Sequence, residues 1–505
     1  LITMRITLLD GYNVIGGNKI LLKEGNESIF LDFGMNFYLY GKYFEEFLKE
    51  RSRRGIYDLW MLGLIPRENI YRRDLIPSDL INEISSREKM KIDAVLISHA
   101  HLDHVGNIAL LDENVPIIGS PETLLIIKSL ADASRGSMGM EIPFFARRES
   151  IEYILTSGEY SQRQVFSTEK MPNEAIDFIS RLYKKKKKVE TKEPGTLEDF
   201  QTHFKILPQR VDHSILGALG YIIEGELTLA YTGDFRLHGM YSEYSREFIS
   251  RARDSSILIT EGTRLGREDD SNMSERDVRE NALKIVQDSK GLVVADFSGR
   301  NFERLQTFKE IAEKTGRTLV ITIKDAYHLY SLDLFRDEKR LRNLAIYDEM
   351  SRSENEWERF LRDNIDNEFL KPFDIRKSQD NFILCFSFYD VNELLDIRPE
   401  NGSVYIYSSS EAFGEEDIFS FERLLNWIDY FGMRIEGIER TKNGEIIFKK
   451  GLHASGHISQ NELYDAIEKI DPDYIIPVHT VNVEWFRKNF PEKLMILKNN
   501  EHIEF

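Results

Sequence analysis

The run Ala94-Val95-Leu96-Ile97-Ser98-His99-Ala100-His101-Leu102-Asp103-His104 decides how the rest of the chain is read. Its apolar start is a buried strand, and it delivers three histidines and one aspartate into a turn. His99 and His101 are two apart and point the same way along extended backbone, whereas Asp103 and His104 fall where the chain turns into a helix and point elsewhere. One short segment can therefore serve two adjacent ions, given zinc–ligand distances of about 2.0–2.2 Å for imidazole and carboxylate donors. A lone histidine is more often a hydrogen-bonded core residue. The pattern H-x-H-x-D-H reverses that reading, provided that other segments bring the missing ligands.

Working outward, the candidate ligands recur at strand ends. A strand over 28–32 stops at Asp32-Phe33-Gly34, where a carboxylate can orient a ligand imidazole or act as an ordinary turn residue. A strand over 204–211 ends in Asp212-His213-Ser214, and a hairpin over 220–231 leads into Thr232-Gly233-Asp234-Phe235. The apolar run 257–260 delivers Glu261-Gly262-Thr263. Far downstream, Gly451-Leu452-His453-Ala454-Ser455-Gly456-His457 precedes a helix, and a last buried strand over 473–477 ends in Val478-His479-Thr480.

Between 264 and 446 short apolar strands alternate with amphipathic helices and histidine-rich turns are missing, which predicts a parallel, doubly wound sheet. Its turn Ser298-Gly299-Arg300-Asn301 can hold a phosphate on backbone N–H groups, with plain helix capping by Ser298 as the competing reading. Two other segments are long. Residues 35–90 carry Phe37, Tyr38, Tyr40, Tyr43, Phe44 and Phe47, then Arg51, Arg53, Arg54, Arg67, Arg72 and Arg73. Such a mixture suits base stacking and phosphate pairing, but the plainer expectation is helix with an aromatic core face and a solvated arginine face. Residues 121–204 read as mostly helical, and five lysines at 184–188 as a solvated run, with RNA guidance as the alternative.

Composition restricts the partners. With 41% hydrophobic and 30% charged residues, the 505-residue chain is globular and not disordered. A net charge of −18 sets the overall field against polyanions, so nucleic acid would have to be held by local basic clusters or by metal ions. The single Cys385 excludes an intrachain disulfide framework and a cysteine-rich zinc ribbon. There is no apolar run of membrane-spanning length and no signal pattern at the N-terminus, so the reading is a cytoplasmic protein with no membrane partner.

Taken together these segments resemble the metallo-β-lactamase superfamily, and within it the β-CASP nucleases of the RNase J kind, over essentially the whole chain. Asp32 matches the first superfamily motif, His99-x-His101-x-Asp103-His104 the second, His213 the third and Asp234 the fourth; Glu261, His457 and His479 match the three β-CASP motifs. The resemblance implies a metallo-β-lactamase αββα sandwich formed by 1–263 and 447–505, with a β-CASP domain inserted at 264–446. It implies two Zn2+, Mn2+ being the substitute. His99, His101 and His213 would hold one ion, Asp103, His104 and His479 the other, and Asp234 would bridge them. Asp32 would orient an imidazole, and His457, steadied by Glu261, would be the general acid. Histidine at 479 is typical of members that act on RNA. His453, Ser455 and Gly456, in an H-x-S-G-H form, would contact substrate phosphate, with Ser298 as a further contact.

The activity so implied is hydrolysis of single-stranded RNA, 5′→3′ exonucleolytic, with endonuclease action and partners in RNA decay or a homodimer left open. Bacterial relatives carry a separate C-terminal domain, and the archaeal RNase J type, which lacks it, is the nearer match. Two alternatives stand beside this reading. A small-molecule hydrolase of the superfamily would keep Asp32 through Asp234 but have no use for Glu261, His457 and the insertion; an inactive RNA-binding subunit would have no need of both ion sites.

Overall fold

Met4–Asp10, Lys19–Glu24 and Glu27–Phe33 form an antiparallel meander because each alternates or runs apolar between tight turns. In the computed structural model this meander is the middle of an eight-stranded sheet. Ala94–Leu96, Ile117–Gly119 and Val165–Ser167 continue it on one side in parallel pairing, and Glu501–Glu504 pairs with Met4–Asp10 on the other. The structure describes residues 3–505 apart from 46, 135, 184–188, 267–272, 352, 410–414 and 442–445. The lysine run at 184–188 therefore lies outside the described residues.

A five-stranded sheet runs in the order Lys205–Arg210, Leu219–Glu224, Thr228–Tyr231, Ile257–Thr260, Tyr474–Pro477. It faces the first sheet across one apolar core that includes Ile6, Leu22, Leu31 and Leu96 from one sheet and Tyr221, Leu229, Ile259 and Ile476 from the other. The alternate residues Leu21, Phe30, Val95 and Ile117 are buried as well, so the first sheet is covered on both faces. Helices Ser242–Arg251, Gln460–Ile470 and Val483–Asn489 cover the outer face of the second through Phe248, Ile467 and Phe486. Two covered sheets face to face are the expected αββα sandwich. Its functional consequence is topological: Ala94–Leu96, Thr228–Tyr231, Ile257–Thr260 and Tyr474–Pro477 each end in a turn that bears histidine or carboxylate.

The chain divides into two compact units, one of residues 1–237, 241–270 and 457–505, the other of 238–240 and 271–456. The second contains a seven-stranded, all-parallel sheet. Its order is Phe369–Leu370, Leu344–Tyr347, Thr318–Thr322, Phe382–Cys385, Val293–Asp296, Val404–Tyr407, Arg434–Glu436. One face packs on Ile375, Leu394, Leu424 and Ile428. The opposite-facing Val293, Ile321, Ile383 and Ile406 are buried too, which makes the sheet doubly wound.

Two local expectations fail. Among the described residues of 121–204, α-helix is confined to Pro121–Ala133 and Asn173–Ser180; between them stands a hairpin of Phe144–Ile151 and Ile154–Gln162. Beyond Ala146 most of its side chains are exposed, so no apolar period marks it. Among the described residues of 35–90 the α-helices are the short Phe37–Tyr40, Tyr57–Met61 and Ile81–Ser85. Arg72, expected on a solvated face, is 1% exposed and donates to the Ala109 and Ala146 carbonyls while pairing with Asp74. Glu501–Glu504, with Ile503 its one apolar residue, gave no strand signal and forms an edge strand. Among the described residues no helix is long and apolar enough to cross a membrane.

Candidate metal centre

Asp32 is the organising carboxylate of the first unit. It is fully buried at the end of Glu27–Phe33 and holds a φ of +57°, a conformation that costs about 1–3 kcal/mol in a residue other than glycine. The Ser98 N–H donates to its Oδ1 at 2.7 Å. Its Oδ2 accepts from the Ser98 hydroxyl at 2.7 Å and the Tyr231 hydroxyl at 2.6 Å, and lies 2.7 Å from His104 Nδ1.

These contacts assign the imidazole tautomers. Ser98 gives its only hydroxyl hydrogen to Asp32, so it can only accept from His99 Nδ1, 3.0 Å away. His104 likewise places its Nδ1 hydrogen on Asp32. Both rings are left with an Nε2 lone pair turned to the other side, as ligating imidazoles require. The same logic holds for His479, whose φ is +52°. Thr263 Oγ1 donates to Glu261 Oε2 at 2.6 Å and therefore accepts from His479 Nδ1 at 2.9 Å.

The freed nitrogens converge. His99 Nε2 lies 3.0 Å and His213 Nε2 3.2 Å from His101 Nδ1. Nitrogens bound tetrahedrally at 2.0–2.1 Å to one ion would be about 3.3 Å apart, so this spacing is that of a shared ligand position. A second set brings His479 Nε2 to 3.1 Å and His104 Nε2 to 3.7 Å from Asp103 Oδ2. Asp234 Oδ2 stands among all of them, 3.2 Å from His104 Nε2, 3.6 Å from His479 Nε2 and 3.8 Å from His99 Nε2. His213, Asp234 and His457 make a third grouping within ligand range. His457 Nδ1 lies 2.9 Å from Glu261 Oε2, and the other oxygen of Glu261 accepts from the Phe235 N–H at 2.8 Å.

Two buried atoms of this cluster, His104 Nε2 and Asp234 Oδ1, have no hydrogen-bond partner. A buried donor or acceptor left unmatched costs about 1–3 kcal/mol, which a metal ion at these atoms would offset. The donor set, all imidazole and carboxylate, suits a divalent metal.

Without an ion, the carboxylates favour a proton on His104 and His479 where a cation would otherwise sit. Burial alone would push the Asp103 and Asp234 carboxyls up, but His104 and His479 outweigh it and hold both below the usual carboxylate range. Burial would push the His104 imidazole down, yet Asp234, Asp103 and Asp32 raise it well above the ordinary value. His479 is raised in the same way by Asp234 and Asp103. His99, buried among other imidazoles, is pushed down and stays neutral. Backbone packing keeps Asp103 in place: a Cβ on Gly34 would stand 1.6 Å from the Asp103 carbonyl oxygen, and one on Gly16 2.7 Å from Asp103 Oδ2.

All ten of Asp32, His99, His101, Asp103, His104, His213, Asp234, Glu261, His457 and His479 belong to the first unit. The remaining candidates, Ser298, His453, Ser455 and Gly456, belong to the second. There Ser298 is exposed and its hydroxyl accepts from the Arg300 N–H at 3.4 Å, a local turn contact. The segment before His453 is pinned by Arg304, which is fully buried, donates to the Leu452 carbonyl at 3.1 Å and pairs with Glu275 at 2.6 Å. His238 Nε2 lies 3.1 Å from the Ser455 carbonyl oxygen. Ser98, Tyr231 and Thr263 were not anticipated as site residues. Each is a hydroxyl next to a ligand or at a strand end, and only position, not residue type, could have pointed to it.

Comparison with known proteins places this geometry in a family context. Residues 75–137 match the metallo-beta-lactamase superfamily and residues 448–490 the Zn-dependent metallo-hydrolase RNA specificity domain. Ribonuclease J of Methanocaldococcus jannaschii is 22% identical over 495 residues, covering 94% of this chain and 91% of its own. Ribonuclease J of Pyrococcus abyssi is 22% identical over 94% of this chain and 89% of its own, and that of Thermus thermophilus 23% identical over 86% and 67%. A crystal structure of a protein of unknown function from Enterococcus faecalis superposes over 100% of both chains with a TM-score of 0.67 at 20% identity.

Proposed function

We propose that this chain, a member of the metallo-β-lactamase superfamily of the β-CASP, RNase J-like group, is a zinc-dependent ribonuclease that cuts single-stranded RNA with two ions, chiefly from the 5′ end. The observation that carries the reading is the pair of donor sets meeting at Asp234 Oδ2, with His104 Nε2 and Asp234 Oδ1 buried and unmatched. His99, His101 and His213 would hold one ion, Asp103, His104 and His479 the other, and Asp234 both. Zinc bound there supplies Lewis-acid polarisation of a phosphoryl group and a lowered pKa for an attacking water.

The chain's own residues do the rest. Asp32 keeps His104 directly, and His99 through Ser98, in the tautomers that present Nε2 to an ion. Glu261 does this for His479 through Thr263, and its own Oε2 fixes the ring of His457. With Nδ1 engaged, Nε2 is the nitrogen of His457 that would carry a proton to the leaving oxygen of the phosphodiester. His453, Ser455 and Gly456 precede that histidine directly and are the candidates to receive a terminal phosphate. The buried single cysteine fits a reducing compartment, and we place the enzyme in the cytoplasm.

The test is one assay on 5′-monophosphate, 5′-triphosphate and circular RNAs with metal-loaded protein. Mononucleotides released preferentially from the monophosphate form are expected. Cleavage of the circle would add endonuclease action, and RNA turnover insensitive to chelation would end the reading.

A further inference from the structure

The aromatic and basic segment that opens after Gly34 divides sharply into inward and outward side chains. Phe44 is 8% exposed and packs on Tyr40 in a tilted arrangement with ring centroids 5.0 Å apart, and Tyr40 in turn bonds Glu50, so the segment is pinned from beneath. Phe37, Tyr38, Tyr43 and Phe47 point outward, exposed by 48, 63, 47 and 84%. Four outward rings within eleven residues, on a backbone held by its other rings, concentrate exposed apolar surface in one segment. The patch starts at the metal centre: Met35 N–H donates to the Leu102 carbonyl, next to Asp103, and Asn36 packs on Gly17. It ends at a groove of about 480 Å³ lined by Arg51, Arg53 and Arg54 with Glu50, Ser52 and Ile154. Arg51 and Arg54 are paired with Asp58 and Asp79, while Arg53 is exposed with no ion pair among the described residues.

We infer that residues 37–45 and 47–54 form an accessory track for single-stranded RNA, on which bases stack against Tyr38, Tyr43 and Phe47 and phosphates sit in the arginine groove. Every base offers a π face to such rings, and cations at one end of a row of aromatics are the chemistry that tracks a strand without reading its sequence. A protein partner would explain the rings but has no need of a guanidinium-lined groove at the end of a segment that starts beside a phosphodiester-cutting site. The inference rests on the ribonuclease reading, and its test separates the two.

Binding of a fluorescent, uniformly 2′-O-methylated 20-nucleotide RNA to the metal-loaded full chain is followed by anisotropy over a salt series, beside turnover of an RNA dinucleotide too short to span the track. The paired change Tyr38→Ala and Phe47→Ala is expected to weaken 20-mer binding at least about tenfold, as loss of stacking predicts. Arg53→Gln should lower the slope of log Kd against log salt by about 0.7, the value for one lost contact to a single strand. Dinucleotide turnover and metal content should be unchanged, which also reports that the variants fold. Affinities within twofold of the parent, or loss of self-association with unchanged RNA affinity, would overturn the track. If the 20-mer binds and the variants weaken it while the parent cuts no RNA, the ribonuclease reading fails and the track stands.

Discussion

Aspartates stand at or just beyond strand ends in both units, and they have gone opposite ways. In the first unit Asp103 and Asp234 are held below the ordinary carboxylate range, because imidazoles outweigh the penalty of burial. In the second, Asp296 at the end of Val293–Asp296 is pushed up to about 7 by burial, against the pull of the Tyr405 hydroxyl at 2.6 Å and with the charge of Asp390 adding to it. Asp325 is pushed up to about 6, also by burial and against its bond from Thr322. Burial is common to both sites and decides nothing. What differs is that His104 and His479, favoured in their charged forms, bear on the first pair of carboxylates, while hydroxyls and weaker, more distant charges bear on the second. Carboxylates held ionised by converging imidazoles mark a place where a cation is favoured; an acid raised by burial with no cationic partner in contact reads as a structural residue.

The sharpest way to break this contrast is to remove a carboxylate from the first set. Asp103→Ala should abolish RNA turnover and lower the metal content measured by elemental analysis, with circular dichroism unchanged. If activity survived, the cluster would be a polar core and not a metal centre.

His457→Ala comes next, with kcat expected to fall by ~10²–10⁴-fold, the usual worth of a general acid. The decisive reading is metal content. His457 belongs geometrically to a possible ligand grouping with His213 and Asp234 as well as to the pair with Glu261. Retained metal with slow cleavage supports the acid role, and collapsed metal content would make it a ligand.

These two variants probe residues that the sequence makes visible, and the reason is physical. Each candidate ligand closes an apolar strand with a two- to six-residue polar motif, so His99, His213, Asp234 and His479 could be read from strand ends alone. The doubly wound sheet was legible for the same reason, since its strands are buried on both faces and read as apolar runs. What was not legible lacks a period or a distinctive residue type. The hairpin 144–162 is largely exposed, Arg72 spends its charge inside on carbonyls and Asp74, and Ser98, Tyr231 and Thr263 are ordinary hydroxyls whose roles come from what they touch.

The second unit offers the converse test. Asp296 has its folded pKa raised to about 7, above the ordinary carboxylate value, so the folded state holds a proton that the unfolded state has already released between about pH 4 and 7. Unfolding then exchanges fewer bound protons into the chain, and stability falls as pH rises through that window, by at most about 4 kcal/mol. Asp296→Asn keeps an acceptor for Tyr405 and removes the titration. Urea unfolding of the variant should show a flatter pH dependence between 4 and 7, and an unchanged profile would mean that Asp296 has a cationic partner after all.

The smallest effect expected is also the most specific to the contrast. Ser98→Ala deletes one hydroxyl, yet that hydroxyl donates to Asp32 and is the acceptor that fixes the His99 tautomer. Without it the Nδ1 hydrogen of His99 has lost its partner, and the ring can place its hydrogen on Nε2, which faces His101 at 3.0 Å. Residues that orient a ligand imidazole are typically worth ~10–100-fold in metal affinity. Competition with a chromogenic chelator should show a loss of that size, confined to one of the two ions, while turnover at saturating metal stays near that of the parent, because no reacting atom is touched. An affinity that does not move would mean that the imidazoles orient themselves by packing alone, and the Asp32 network would then be a consequence of the site's geometry and not its cause.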